Sequence, residues 1–348
     1  MKYDINKKYI IKILKELLTT PSPSGFCHEI MEKIKNEVND LGYEFYMTNK
    51  GCGVITIPGK NDNYIIGLSA HVDTLGAMVR SIKDSGMIRF TPIGGYMMNT
   101  VECEYCKIHT RSGKIYDGTI LTTKPSVHVY SDAKDQKREE LNMEIRIDEI
   151  VNSKEDVEKL GISVGDFISF DSRTVIKENG FIKSRHLDDK AGVAVLFGFM
   201  EMLKRNKITP NNTIKIFIST YEEIGHGSSY IPKEIDELIA IDMGAIGDDL
   251  NCTEFDVSIC AKDSSGPYDY NMVSRLINLA KKHNLQFSVD IYPNYGSDVS
   301  AALKAGNNIR GALIGPGVHA SHSIERTHID ALINTTKLIS AYILETEN

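Results

Sequence analysis

The sequence predicts an α/β fold, a mixed sheet flanked by helices, with a small β-rich unit inserted into it. Three observations carry this. Continuous apolar runs read as strands buried on both faces. Amphipathic stretches of helical period lie between them. From about Leu75 to Gly165 that period disappears, and short β-prone runs separated by glycine turns replace it.

The elements follow in order. Ile10, Ile11, Leu14, Leu17 and Leu18 recur at helical spacing until Thr19–Gly25 stop the helix. A second helical stretch runs from about Phe26 to Leu41, and strands around Glu44–Met47 and Val54–Ile57 flank the turn Asn49–Gly51. The buried strands are Tyr64–Ala70, Ile214–Thr220, Leu238–Ile241 and Gly311–Ile314, with helices expected over Lys190–Lys204 and Asn271–His283. Thr327 and Asp330 have the spacing of a capping box opening the last helix. In the β-rich stretch the runs are Gly76–Ile82, Met87–Phe90, Cys106–Thr110, Ile115–Thr122 and Val127–Tyr130, and charged Ser131–Glu140 reads as an exposed loop. The division expected is 1–74 with 166–348 as one domain and 75–165 as an insertion into it.

At 348 residues the chain has room for about two domains. Its 41% hydrophobic and 25% charged residues are those of a globular protein, and a net charge of −7 argues against a nucleic-acid partner. No segment reaches the ~18 apolar residues a membrane span requires, and the Lys-interleaved N-terminus lacks the features of a signal peptide. Six scattered cysteines suggest a reducing cytoplasm. Cys103 and Cys106 form a C-x-x-C, but no second pair lies at zinc-finger spacing, so no role is assigned to them.

The chemistry-bearing residues sit where buried strands end, the place at which open α/β sheets put their sites. Tyr64–Ala70 runs into His71-Val72-Asp73, Ile214–Thr220 into Tyr221-Glu222-Glu223-Ile224-Gly225, and Leu238–Ile241 into Asp242. Asp188 and Asp189 precede a helix, and His319 and His322 follow Gly311–Ile314. Each has an innocent reading; Asp189, for one, suits a helix cap. Five such loops at one rim make coincidence a poor explanation. Imidazoles and carboxylates without thiolates suit Zn²⁺, Co²⁺ or Mn²⁺ in an open, catalytic arrangement. A carboxylate can bridge two cations, and the Glu222-Glu223 doublet offers one ligand and one proton carrier.

The ordered set His71-x-Asp73, Asp188-Asp189-Lys190, Glu222-Glu223, Asp242 and His322 resembles the co-catalytic metallopeptidases with a zinc-peptidase-like fold. Within them the chain is most similar to the tetrahedral (TET) aminopeptidases, also called the glutamyl aminopeptidase/endoglucanase-like family. Thr20–Gly25 (TPSPSG), Ala70–Val79 (AHVDTLGAMV), Ile241–Gly244 (IDMG), Gly296–Asp298 (GSD) and His322-Ser323 add to the match. The long interval between His71 and Asp188, which holds the insertion, separates this family from the related carboxypeptidases and deacylases. Thr74 and Ala77 depart from the family pattern without touching a ligand position.

The resemblance implies two divalent metal ions, zinc or cobalt first and manganese third. Asp188 would bridge them, His71 and Asp242 completing one position, Glu223 and His322 the other. Glu222 would shuttle a proton from the attacking water to the departing amine, and Asp73 would orient His71. His322 is preferred to His319 because His-Ser followed by Glu325 matches the family segment. The activity implied is a cytoplasmic aminopeptidase acting on short peptides with a free N-terminus. The insertion resembles a barrel-like dimerisation domain, which implies a dimer-based homo-oligomer up to a dodecamer. The competing classes are a glycoside hydrolase, which leaves both histidines without a job, and an inactive metal- or peptide-binding relative. The residue preferred at the substrate's N-terminus is not legible.

Overall fold

The computed structural model describes residues 4–345. Its strands Glu44–Met47, Gly53–Ile57, Asn212–Ser219, Asn61–His71, Glu237–Ile241, Arg310–Val318 and Val257–Asp263 pair in that spatial order in one ten-stranded mixed sheet. Asn61–His71 lies parallel to both Asn212–Ser219 and Glu237–Ile241, and Glu237–Ile241 lies parallel to Arg310–Val318. Parallel neighbours end on the same side, so their C-terminal loops share one edge.

Among the described residues, seven α-helices accompany the strands: α1 (Lys7–Leu18), α2 (His28–Leu41), α3 (Lys154–Lys159), α4 (Leu187–Arg205), α5 (Tyr270–Lys282), α6 (Asp298–Lys304) and α7 (Ile329–Leu344). α4 is buried without interruption from Leu187 to Met200, between the sheet, α1 and α7. Its Ala-Gly-Val-Ala-Val-Leu-Phe-Gly-Phe run is apolar all round, as a helix enclosed on every side must be. α1 starts where the Asn6 side chain accepts the N–H of Tyr9 at 3.2 Å, and α2 ends at Gly42 in the left-handed region. The final helix is capped differently from expectation. His328 accepts the Asp330 N–H on Nδ1, while Thr327 lies in the preceding strand and donates to the Gly317 carbonyl at 2.6 Å. A side chain committed to a strand contact cannot fold back to cap.

The β-rich stretch closes into a six-stranded barrel, in the order Gly76–Ile82, Ile88–Ile93, Met143–Ile147, Ile115–Thr122, Tyr105–His109 and Phe167–Phe170. It encloses a hydrophobic cluster of its own, including Val79, Phe90, Ile108, Ile120, Ile145 and Ile168. The sixth strand lies just past residue 165, because closure needs an edge to meet both Gly76–Ile82 and Tyr105–His109. Val127–Tyr130 is not a strand but an exposed turn, with Val127 and Val129 each 72% exposed. β-propensity finds no partner edge there. Ser131–Glu140 is largely exposed, as read from its charge. Cys103 and Cys106 are free, the first exposed and the second buried in the barrel. No helix among the described residues is long and apolar enough to cross a membrane.

Candidate metal centre

Parallel register brings the loops together. His71 ends its strand opposite Ser219, so the Glu222-Glu223 turn emerges beside it. Asp242 follows Ile241 and its N–H donates to the Ile314 carbonyl at 3.0 Å. A small sheet, Val175–Ile176, Phe181–Ser184 and Glu325–His328, ties the chain entering Asp188 to the loop of His322. Glu325 spans the two: its carboxylate accepts the N–H of Asp188 at 3.1 Å and that of His322 at 3.0 Å.

His71 Nδ1 lies 3.0 Å from the Asp73 main-chain oxygen and 3.6 Å from its carboxylate. Its Nε2 then faces Asp188 Oδ1 at 3.1 Å, with Glu222 Oε2 at 3.7 Å. From the other side His322 Nε2 is 3.3 Å from Asp188 Oδ2 and 3.6 Å from Glu223 Oε2. Asp188 thus sits between two imidazoles with one oxygen toward each. The ligand atoms of His71, Asp188 and Glu223 lie within 4.8 Å of one another, as do those of His71, Asp189 and Asp242.

Of the residues predicted for the site, His71, Asp188, Glu222, Glu223, Asp242 and His322 therefore converge. Asp73 adjoins them, but its carboxylate is engaged by Ser24 Oγ and the N–H groups of Glu222 and Glu223, and its carbonyl is the nearer group to His71. That explains the TPSPSG segment, which bridges to the His71–Asp73 loop through Thr74 N–H to Ser22 O and Ser24 N–H to Thr74 O. His319 has an exposed side chain and a main chain paired with Arg326. Asp189 both caps α4, accepting Gly192 N–H at 3.0 Å, and accepts His71 N–H at 3.2 Å. Sequence reasoning assigned no part to Glu325 or to Tyr295, whose hydroxyl donates to Met243 O at 2.9 Å. Glu325 marked the family segment around His322, but its bond to Asp188 joins segments remote in sequence and has no local signal, and neither has Tyr295.

Electrostatics describe the same crowding. Burial, with neighbouring carboxylates, pushes the Asp242 carboxyl up to about 7 and holds those of Glu222 and Glu223 well above their ordinary range. Burial alone would lower His322, but hydrogen bonding to Asp188 together with the charges of Asp188 and Glu223 outweighs it and raises the imidazole to about 10. His71 is raised in the same way. Among the described residues, the basic partners of these carboxylates are the two imidazoles. A cluster that retains protons against its own acidity has the charge and donor set that a divalent cation satisfies.

Beside the cluster opens a cleft of about 610 Å³, walled by Met243, Ala245, Leu250, Tyr292, Pro293 and Tyr295 as well as the acidic groups. The chain is thus an α/β sheet with a barrel inserted between its first two site loops and, at its strand ends, a buried imidazole–carboxylate cluster that could hold a divalent cation. Residues 51–338 match the M42 glutamyl aminopeptidase family, and the chain belongs to it. It is an aminopeptidase of that family. It is 48% identical over 334 residues to the putative aminopeptidase YhfE of Bacillus subtilis, covering 96% of each chain. In fold it is similar to aminopeptidase APDkam598 of Desulfurococcus kamchatkensis, at TM-score 0.87 and 24% identity over 98% of this chain and 96% of that one. It is likewise similar to the TET1 peptidase of Pyrococcus horikoshii, at TM-score 0.84 and 24% identity over 97% and 100%.

Proposed function

We propose that the protein removes N-terminal residues from short peptides, with Asp188 bridging two divalent cations and Glu222 as general base. The observation that carries this is the placement of Asp188, one carboxylate oxygen toward His71 and the other toward His322. His71 and Asp242 would complete one position, Glu223 and His322 the other. Asp189 is the weaker candidate for a ligand because main-chain N–H groups take both its oxygens. Bound there, zinc, cobalt or manganese would activate a water and polarise the scissile carbonyl.

The chain's own groups supply the rest. Glu222 lies against His71 and lines the cleft, so its carboxylate is placed to take a proton from the attacking water and return it to the leaving amine. Asp73 fixes Glu222 and Glu223 through their main-chain N–H groups. The acidic rim favours the cationic α-amino group of a peptide end. The cleft wall beyond it carries no charged side chain among its described lining residues, and the Tyr292 hydroxyl is spent on Ser258. A charged first side chain would lie there unpaired, so peptides beginning with an apolar residue are the substrates this wall supports.

Residues 75–165, with the closing strand Phe167–Phe170, form the inserted domain in this reading, and its role in dimerisation is a proposal. The similar Pyrococcus horikoshii TET1 peptidase can assemble into a tetrahedron or a large octahedral shell. For this chain a dimer-based homo-oligomer in the cytoplasm is the corresponding proposal, and light scattering tests it.

Chelation followed by metal add-back tests the activity. Hydrolysis of Leu-, Met- and Phe-p-nitroanilide should vanish and return, with Glu and Lys anilides at least ~10-fold poorer in kcat/KM. Activity indifferent to chelation would refute the metal reading, and a charged substrate cut best would refute the wall assignment.

A further inference from the structure

The half of the cluster made by Glu223 and His322 is not finished by the α/β unit that carries those residues. The barrel strand Ile88–Ile93 runs into Gly94-Gly95, and this turn reaches the site. Gly94 has φ +77°, and a Cβ there would lie 2.6 Å from Leu75 Cδ2, 3.5 Å from Glu223 O and 3.6 Å from Glu223 Cβ. That conformation favours glycine, and any side chain there would have to displace the end of Leu75 while lying directly against Glu223. The next residue, Gly95, turns its carbonyl to His322 Nδ1. A proton held on Nδ1 leaves Nε2 with its lone pair toward Asp188 and Glu223, the state a ligating imidazole needs. His322 has a side chain 38% exposed, so few other contacts fix its ring.

A buried ion pair ties the inserted barrel to the loops of the cluster. Barrel residue Glu104, 2% exposed, accepts Nε and Nη2 of Arg185 at 2.9 and 2.7 Å, and its other oxygen lies 2.8 Å from Arg173 Nε. Arg185 Nη2 also donates to the Thr100 carbonyl at 2.6 Å, and Nη1 reaches Ser323 O at 3.4 Å. Arg185 lies on the segment entering Asp188, and Ser323 follows His322. One guanidinium therefore joins the barrel to both loops that bring Asp188 and His322 together.

We propose that the inserted barrel completes the metal centre, with Gly94-Gly95 positioning Glu223 and His322 and the Glu104–Arg185 pair fixing the barrel against the loops of Asp188 and His322. The position held by Asp188, Glu223 and His322 then depends on how the barrel is docked. The position held by His71, Asp188 and Asp242 depends on it only through the shared Asp188. The proposal rests on the two-cation reading above. Gly94, Gly95, Glu104 and Arg185 are positioning residues in it.

The test titrates the chelator-stripped full chain with Co²⁺, following heat and visible absorption, with circular dichroism to check folding. The wild type should bind two ions. In Gly94→Val and in Glu104→Gln one site should weaken ~10–100-fold, the usual effect of removing a group that orients a ligand, and the other distinctly less. Gly113→Ala, at a barrel glycine with φ +84° and open space around it, controls for backbone strain and should bind both ions normally. Glu104→Gln keeps the side-chain volume and so guards against a Gly94 variant that fails to fold. Folded variants that bind both ions like the wild type would overturn the proposal, and so would equal weakening of both sites, the mark of general loosening. A wild type that binds a single ion would instead overturn the two-cation reading.

Discussion

The Asp73 carboxylate accepts the main-chain N–H of Glu222 at 3.1 Å. Its second oxygen takes the N–H of Glu223 at 3.2 Å and the Ser24 hydroxyl. A residue expected to steer His71 therefore steers the glutamate doublet with its side chain and the imidazole with its carbonyl. In Asp73→Asn an amide NH₂ would face one of those N–H donors, and the turn would shift. Activity should fall by ~10–100-fold while the far-UV spectrum stays native. Wild-type kcat/KM in that variant would remove the assigned role.

Glu222→Gln keeps the shape of the side chain and abolishes its basicity. Turnover should slow by ~10²–10⁴ with metal content unchanged by elemental analysis. Loss of metal in proportion to activity would exchange the roles of Glu222 and Glu223.

Asp188→Ala removes the one carboxylate that faces both His71 and His322. Both metal positions should empty together, leaving fewer than one ion per chain after dialysis. One firmly retained ion would show that Asp188 does not bridge.

Metal uptake should release protons. In the metal-free protein the Asp242 carboxyl is raised to about 7 and the His322 imidazole to about 10, so at pH 7 the imidazole holds a proton and the carboxyl about half of one, which a cation must displace. Both folded-state values exceed the unfolded ones. The stability these groups contribute is full below the unfolded values and declines as pH rises through the folded ones. Calorimetry of Co²⁺ binding in buffers of different ionisation heat should report net proton release. The melting temperature in chelator should fall as pH climbs from about 5 to about 9 more steeply than that of the loaded protein. Binding heats independent of buffer would contradict the protonated cluster.

His109 has the opposite sign. Burial first, then the charge of Lys107, lowers its imidazole to about 4, and the neutral ring hydrogen-bonds Ser169 Oγ at 2.8 Å and packs 4.8 Å from Phe26. The stability this gives is complete above the unfolded value near ~6.5 and is lost as pH falls through 6.5 toward 4. Between pH 7 and pH 4.5 the wild type should lose about 2 kcal/mol more than His109→Gln in denaturant titrations. Parallel losses in the two proteins would show that the ring does not titrate with folding.

Much of the architecture was legible because its signals are local. A buried parallel strand is a continuous apolar run, and the residue that follows it is bound to lie at the sheet's C-terminal edge; His71, Glu222, Glu223 and Asp242 could be located that way. The failures have equally local causes. Val127–Tyr130 carries strand-forming residues but has no neighbouring edge, and the helix cap falls on His328 because a strand contact claims Thr327.

By itself the sequence determined which side chains stand at the strand ends, what ions such imidazoles and carboxylates suit, and where the barrel interrupts the sheet. Only the tertiary structure decided how those side chains are aimed. Asp73 reaches the glutamate doublet, Glu325 joins the loops of Asp188 and His322, and Gly94-Gly95 brings the barrel against Glu223 and His322. Ligand identity belongs to single residues, whereas orientation comes from hydrogen bonds between segments that folding alone makes neighbours.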